Sequence, residues 1–211
     1  MLISVKKRFI FIASSKTAST SIESALMPYA EIIRSGSPER KHCSWKEARK
    51  EYSFLFKIPP YKPQNFFKFG VVREPVEWVI SWYNYRYMNN ILANPLPKDM
   101  NFEQFWNSND WVKRKCQKDS FSNNSGICRF DLIIPHEKVN QAFPIVVNHL
   151  KLGKKVALPY KNKTVMKKIT RNSLDPDLIS KINAYYQQDF NFWMEWMENI
   201  DSSLEKLQQR F

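Results

Sequence analysis

Residues 14–21, SSKTASTS, combine small and hydroxylic side chains with one lysine, Lys16, directly after the apolar run Phe9 to Ala13. The apolar run reads as a buried strand, and a helix follows to about Tyr29. A strand that ends in such a turn and feeds a helix aims free backbone N–H groups, the positive end of the helix dipole, an ammonium and several hydroxyls at one place. An anion of phosphate type fits there. The Walker pattern of nucleotide hydrolases needs glycines and a Gly-Lys-Ser/Thr ending. No glycine lies between Ser14 and Ser21, so an ATPase or GTPase is disfavoured. Taken alone, the segment also suits a surface loop with a solvated lysine.

A second candidate lies at Phe66 to Tyr87, FFKFGVVREPVEWVISWYNYRY. Phe67 to Val72 reads as another buried strand with Arg73 at its end, and Pro75 suits the first turn of a helix. Val76, Val79, Ile80, Tyr83 and Tyr87 follow at helical spacing, and Ser81 falls about two turns into that helix. The planar fork of an arginine gives paired, charge-assisted bonds to oxygen, so Arg73 with Ser81 suits a second phosphate. The competing reading pairs Arg73 with Glu74 or Glu77.

In order, spacing and residue type the two segments resemble the sulfotransferases that use 3′-phosphoadenosine-5′-phosphosulfate (PAPS), in particular the carbohydrate-type branch and its bacterial, sulfotransferase family 2-like relatives. The resemblance implies that the loop Ser15, Lys16, Thr17, Ser19, Thr20 and Ser21 holds the 5′-phosphosulfate and that Arg73 and Ser81 hold the 3′-phosphate. The family often has proline before the lysine and glycine before the second threonine, where this chain has Ser15 and Ser19. Lys41-His42 with Ser44 resembles the stretch between the family's two phosphate motifs, and Leu132 to Val139 and Asn162-Lys163-Thr164 with a closing helix resemble later parts of the family pattern. The likeness runs over about residues 6–200.

The elements that must position these residues follow from the apolar pattern. The expected order is strand Phe9 to Ala13, helix to about Tyr29, helix near Trp45 to Tyr52, strand Phe67 to Val72, and helix to about Asn90. Then come a helical stretch near Phe102 to Lys115, a strand near Leu132 to Ile134, a helix near Asn140 to Leu150 and an amphipathic helix from about Asp177 to Met197. Strands alternating with helices imply an α/β fold with a central parallel sheet flanked by helices, here expected as one domain over residues 1–211. Ligands of such sheets bind beyond the carboxyl ends of the strands, where Lys16 and Arg73 both fall. The resemblance adds that the fold is the P-loop-like one of sulfotransferases.

The formal net charge is +13, from 33 Lys and Arg against 20 Asp and Glu. Such a field recruits anions of any kind. Nucleic-acid binding is the rival reading, because Lys113 to Lys118 and Lys161 to Arg171 are basic clusters in a chain with seven tryptophans, and basic grooves with stacking aromatics bind single strands. No RRM, KH or zinc-finger signature is present, and most aromatics sit at helix or strand periodicity, as core residues do. Cys43, Cys116 and Cys128 form no CxxC pair, which points to reduced thiols, a Cys116 to Cys128 bridge being the alternative in an exported protein. The expectation is a soluble, cytoplasmic, bacterial enzyme without a membrane anchor or metal; oligomeric state is not legible.

The chemistry that the resemblance implies is in-line transfer of a sulfuryl group from PAPS to a hydroxyl acceptor, most naturally on a glycan. Such a step asks the protein mainly to align the reactants and neutralise the leaving side, the role expected of Lys16. Of the three histidines, His42 is favoured as base by the resemblance, with Glu23 and Glu137 behind it; His136 and His149 sit in or beside apolar patterns. Lys161, Lys163 and Thr164 are expected to close over the nucleotide. A catalytically silent PAPS-binding protein is the other alternative.

Overall fold

The computed structural model describes residues 1–88, 95–108, 116–153, 156–159 and 167–209. Among them, β1 (Leu2–Ser4), β2 (Phe9–Ile12), β3 (Ile32–Ile33), β4 (Phe67–Val72) and β5 (Leu132–Pro135) form a sheet of order β3-β1-β2-β4-β5. The strands β2, β4 and β5 are parallel, Phe9 standing opposite Phe67 and Phe69 opposite Leu132. This is the expected α/β fold with a parallel core. On its far side β1 runs antiparallel to both β2 and β3, which the apolar pattern did not show. Three-residue and two-residue strands carry too little alternation to be read, and only the pairing partner makes them strands.

The helices are α1 (Ser19–Leu26), α2 (Pro38–Lys41), α3 (Trp45–Glu51), α4 (Ser53–Phe56), α5 (Pro75–Met88), α6 (Phe102–Asn107), α7 (Val139–His149), α8 (Pro176–Tyr185) and α9 (Gln187–Gln208). The single closing helix expected from the sequence is two helices, broken at Tyr186 with φ −100° and ψ 30°. Its ring is buried edge-on against Trp78 at 5.7 Å, so α8 packs on α5 while α9 runs on beneath the sheet. The helical stretch expected to Lys115 is seen as α6, and residues 109–115 lie outside the described ones.

Alternation along the strands divides the core. Phe9, Phe11, Phe69, Val71, Leu132 and Ile134 face α1, α7 and the distal half of α9, where Ile200, Leu204 and Leu207 are buried. Ile10, Ile12, Val72 and Ile133 face Trp45, Leu55, Phe56, Phe121 and Phe192. A third cluster joins α5, α6 and α8 through Trp78, Tyr83, Phe102, Phe105, Trp106 and Tyr186. Most of the aromatic content is thereby spent inside, as the periodicity implied.

Gly70 in β4 is one position where a side chain is excluded. A Cβ there would lie 2.2 Å from the Phe121 ring, and Phe121 is fully buried. Gly70→Ala is expected to lower stability by about 1–3 kcal/mol through overpacking, read as a lower urea midpoint at unchanged slope. Phe121→Leu in the same chain should recover part of the loss. An unchanged midpoint in Gly70→Ala would show that the ring moves aside without cost.

Candidate active site

The three parallel strands end at one edge of the sheet, β4 and β5 level with Val72 opposite Pro135 and β2 two residues earlier with Ile12 opposite Gly70. The loop with Lys16 leaves β2, Arg73 follows β4, and His136 follows β5. All three line one cavity of about 1650 Å³, together with Ser15, Thr17, Ser19, Thr20, Ser21, His42 and Ser81. Lys163 and Thr164, like Lys161, lie outside the described residues.

The loop after β2 is built without glycine yet takes two left-handed residues, Lys16 at φ 62° and Ala18 at φ 59°. A non-glycine residue in this region costs on the order of 1 kcal/mol, and backbones turned this way form anion-binding concavities. Thr17 is fully buried, and its hydroxyl donates to the Ser14 carbonyl at 2.9 Å, so this side chain braces the loop. Trp78 Nε1 donates to the Ser15 carbonyl at 2.9 Å, tying the loop to α5. No side chain caps α1, and its first turn holds no acid. Ser19, Thr20 and Ser21 of its first turn all line the cavity, so the positive end of the helix lies at the cavity wall.

Arg73 joins the two motifs directly. Its Nη1 donates to the Lys16 carbonyl at 3.4 Å and its Nη2 to Glu77 at 3.2 Å, so the pairing with Glu77 and the approach to the loop coexist. The Arg73 Nε is buried without a partner. Burial pulls the guanidinium below its ordinary pKa, and Glu77 opposes that shift. The Arg73 backbone is clamped by Gln117, whose amide nitrogen donates to the Arg73 carbonyl at 2.8 Å and whose amide oxygen accepts from the Arg73 N–H at 3.0 Å. Gln117 is in turn held by Asp189 on α9, which is fully buried and accepts from the backbone N–H groups of Gln117 and Lys118 and from the Cys116 thiol. Cys116 is thus a free thiol. Glu74 accepts from the Glu77 N–H at 2.8 Å and pairs with Arg171 at 2.9 Å, which fixes the start of α5.

Glu77, Ser81 and Tyr85 recur every fourth residue along α5 and line the cavity below Arg73. Lys16 Nζ sits 3.7 Å from the centroid of the Tyr85 ring and 5.8 Å from that of Trp82, a cation–π placement. Burial, and secondarily the charge of Arg73, hold the Lys16 ammonium down to about 8.

His42 reaches the same cavity from the end of α2. Its Nδ1 lies 2.7 Å from the Ala13 carbonyl, and since a carbonyl only accepts, Nδ1 carries the proton and Nε2 keeps its lone pair. Burial lowers the His42 pKa below the ordinary 6.5, leaving the ring neutral at pH 7. Glu23 is buried between Lys41 at 3.0 Å and the Met1 ammonium at 2.9 Å, and Lys41 donates to the Thr20 hydroxyl at 2.8 Å. Glu23 thus orients Lys41. Glu137 is exposed and accepts from Trp193.

Sequence reasoning passed over His136, Gln117 and Lys41 as site residues. Burial, with the charges of Arg73 and Lys167, holds His136 down to about 4, so this ring is a neutral donor or acceptor beside Arg73. Its signal was its place immediately after the third parallel strand. His149 stacks on Phe67 at 4.6 Å and does not line the cavity. Among the described residues no group of His, Cys, Asp and Glu is arranged to hold a metal ion, and no helix is long and apolar enough to cross a membrane.

A family model described as Sulfotransferase family matches residues 1–194 of the chain. No curated protein and no solved structure gives a significant match.

Anion binding here should depend on pH through Lys16. With its pKa held down to about 8, the ammonium is charged below that pH and its charge is lost above it, so affinity falls as pH rises through about 8. Inorganic sulfate, whose charge is constant over this range, is the probe, titrated calorimetrically. The fall should vanish in Lys16→Gln; an equal fall in both proteins would assign it to another group.

Proposed function

Because the chain belongs to the sulfotransferase family, we propose that it moves a sulfuryl group from PAPS to a hydroxyl acceptor, with a glycan hydroxyl as the favoured acceptor class. The observation that carries the reading is the direct contact between the two phosphate-type motifs, Arg73 Nη1 on the Lys16 carbonyl, at one cavity. The fit to the donor rests on chemistry. An arginine with a buried unpaired Nε, an uncapped helix start, a desolvated ammonium and several hydroxyls form a set of donors without a carboxylate of their own on the loop.

In this reading Ser19, Thr20, Ser21 and the leading amides of α1 hold the 5′-phosphate, with Ser15 and Thr17 shaping the loop. Arg73 and Ser81 hold the 3′-phosphate that distinguishes this donor from ATP, and His136 adds a neutral polar atom beside Arg73. Lys163 and Thr164 are proposed to close over the nucleotide. Bound there, PAPS supplies the sulfuryl group that ends on the acceptor oxygen. Lys16 neutralises charge that develops on the leaving side, at a site where water is displaced and charge is weakly screened. His42 accepts the acceptor's proton at Nε2 while Nδ1–H stays on Ala13. The Ala13 carbonyl favours the imidazolium that forms, since it accepts the Nδ1 proton in both states.

Calorimetric titration with 3′,5′-adenosine bisphosphate, and with 5′-AMP as control, tests the donor site. Micromolar binding that requires the 3′-phosphate and is lost in Arg73→Ala is expected. A folded protein that binds neither nucleotide would remove the PAPS reading and favour the nucleic-acid one.

The base has its own test once an acceptor is turned over. His42→Gln should lower kcat by about 10²–10⁴-fold while adenosine bisphosphate still binds. Because the His42 pKa lies below 6.5 in the folded protein, the acid limb of kcat/KM should fall below that pH. A limb centred above it would point to a different base.

A further inference from the structure

Outside the cavity, the surface that stands out runs over residues 45–62, WKEARKEYSFLFKIPPYK. Leu55 and Phe56 of α4 are buried, whereas Phe54 is 66% exposed and Ile58 44%. The chain turns helically here, with Lys57 N–H on the Ser53 carbonyl at 3.1 Å and Ile58 N–H on the Leu55 carbonyl at 3.1 Å. Phe54 and Ile58 are therefore neighbours on the outer face. Lys46, Arg49, Lys50, Lys57 and Lys62 lie in the same stretch, all exposed and none ion-paired with a described residue. The two acids of the stretch are occupied: Glu51 pairs with Arg34, and Glu47 closes the capping box of α3 by accepting from the Ser44 N–H at 2.6 Å.

The surface is rigid from below. Phe56 packs edge-on against Trp45 at 5.8 Å and Phe66 at 6.0 Å. Arg8 donates to the Pro60 carbonyl at 2.7 Å and lies 4.4 Å from the Tyr61 ring centre, pinning the segment after α4. Two apolar side chains are thus held outward by a fixed scaffold, in a stretch that carries five exposed cations.

We propose that this surface docks onto an anionic lipid bilayer, Phe54 and Ile58 entering the headgroup boundary while the five cations meet the lipid charges. Charge complementarity selects this occupant. Protein interfaces lose charge toward their apolar centre, whereas apolar tips among lysines are the pattern of interfacial membrane binding. The long lysine stems let the ammonium groups stay at headgroup level as the tips enter. A single strand of nucleic acid needs ring faces along a groove, and Ile58 offers none. Lys46 also lines the cavity, so a docked protein holds the cavity rim at the membrane surface. The inference stands independently of the sulfuryl-transfer reading.

Co-sedimentation of the full chain with vesicles of phosphatidylcholine alone, and of phosphatidylcholine with phosphatidylglycerol, reads the docking. Partitioning at least about tenfold stronger onto the anionic vesicles and weakened by salt is expected. A fall of about tenfold is expected in both Phe54→Ser/Ile58→Ser and Lys50→Glu/Lys57→Glu. These positions are exposed, and thermal unfolding checks that each variant is folded. No preference for anionic vesicles would overturn the proposal. So would wild-type partitioning in Phe54→Ser/Ile58→Ser, because the overall charge alone then explains the attraction. Displacement of the protein from vesicles by an oligonucleotide, with the apolar variant unaffected, would transfer the surface to nucleic acid.

Discussion

The parallel ladder of β2, β4 and β5 is the constraint on which the site depends. Its register sets Ile12 against Gly70 and Val72 against Pro135, so β4 and β5 end level, β2 ends two residues earlier, and all three chain segments leave at the same edge of the sheet. Lys16, Arg73 and His136 are distant in sequence, and they share a cavity because each follows one of these strands. A one-residue slip would invert every strand face and send core residues to the wrong layer. The aromatic and branched residues on both faces hold the register, and Gly70 admits the Phe121 ring that closes one of them.

Within that frame the cavity is a concentration of unspent polarity. Lys16 and Arg73 are both pulled down by burial, Arg73 adds to the shift of Lys16, and among the described residues the acid paired with Arg73 is Glu77. The loop keeps two left-handed non-glycine residues, and α1 starts without a cap. The left-handed residues and the uncapped helix start each cost stability. Rigidity comes from behind: Asp189 holds Gln117, Gln117 holds the backbone of Arg73, and Glu23 holds Lys41. Through these contacts they fix where Arg73 and Lys41 stand.

The net charge of +13 is distributed unevenly in purpose. A few cations are drawn inward to the cavity, where burial alters their chemistry. Those around α3 and α4 stay hydrated beside two exposed apolar side chains. The same residue types thus line a cavity in one place and an exposed surface in the other, and the difference is one of burial.

Much of this was legible before any coordinates. Phe9 to Ala13 and Phe67 to Val72 announce buried strands by their composition, and the lysine, arginine and hydroxyls follow at strand ends, where local pattern and general rules of α/β sheets suffice. The α/β class and the family likeness came from such local signals. Tertiary structure alone decided the antiparallel edge of β1 and β3, the break at Tyr186, the pairing of Glu23 with Lys41, the clamp from Asp189 through Gln117 to Arg73, and the arrival of His136 beside Arg73. Each rests on contacts between residues far apart in the chain, or on a pairing too short to show a period. A linear sequence records which residues are apolar, charged or permissive of a turn. Which distant groups meet, and what burial then does to their charge, follows only once the strands are in register.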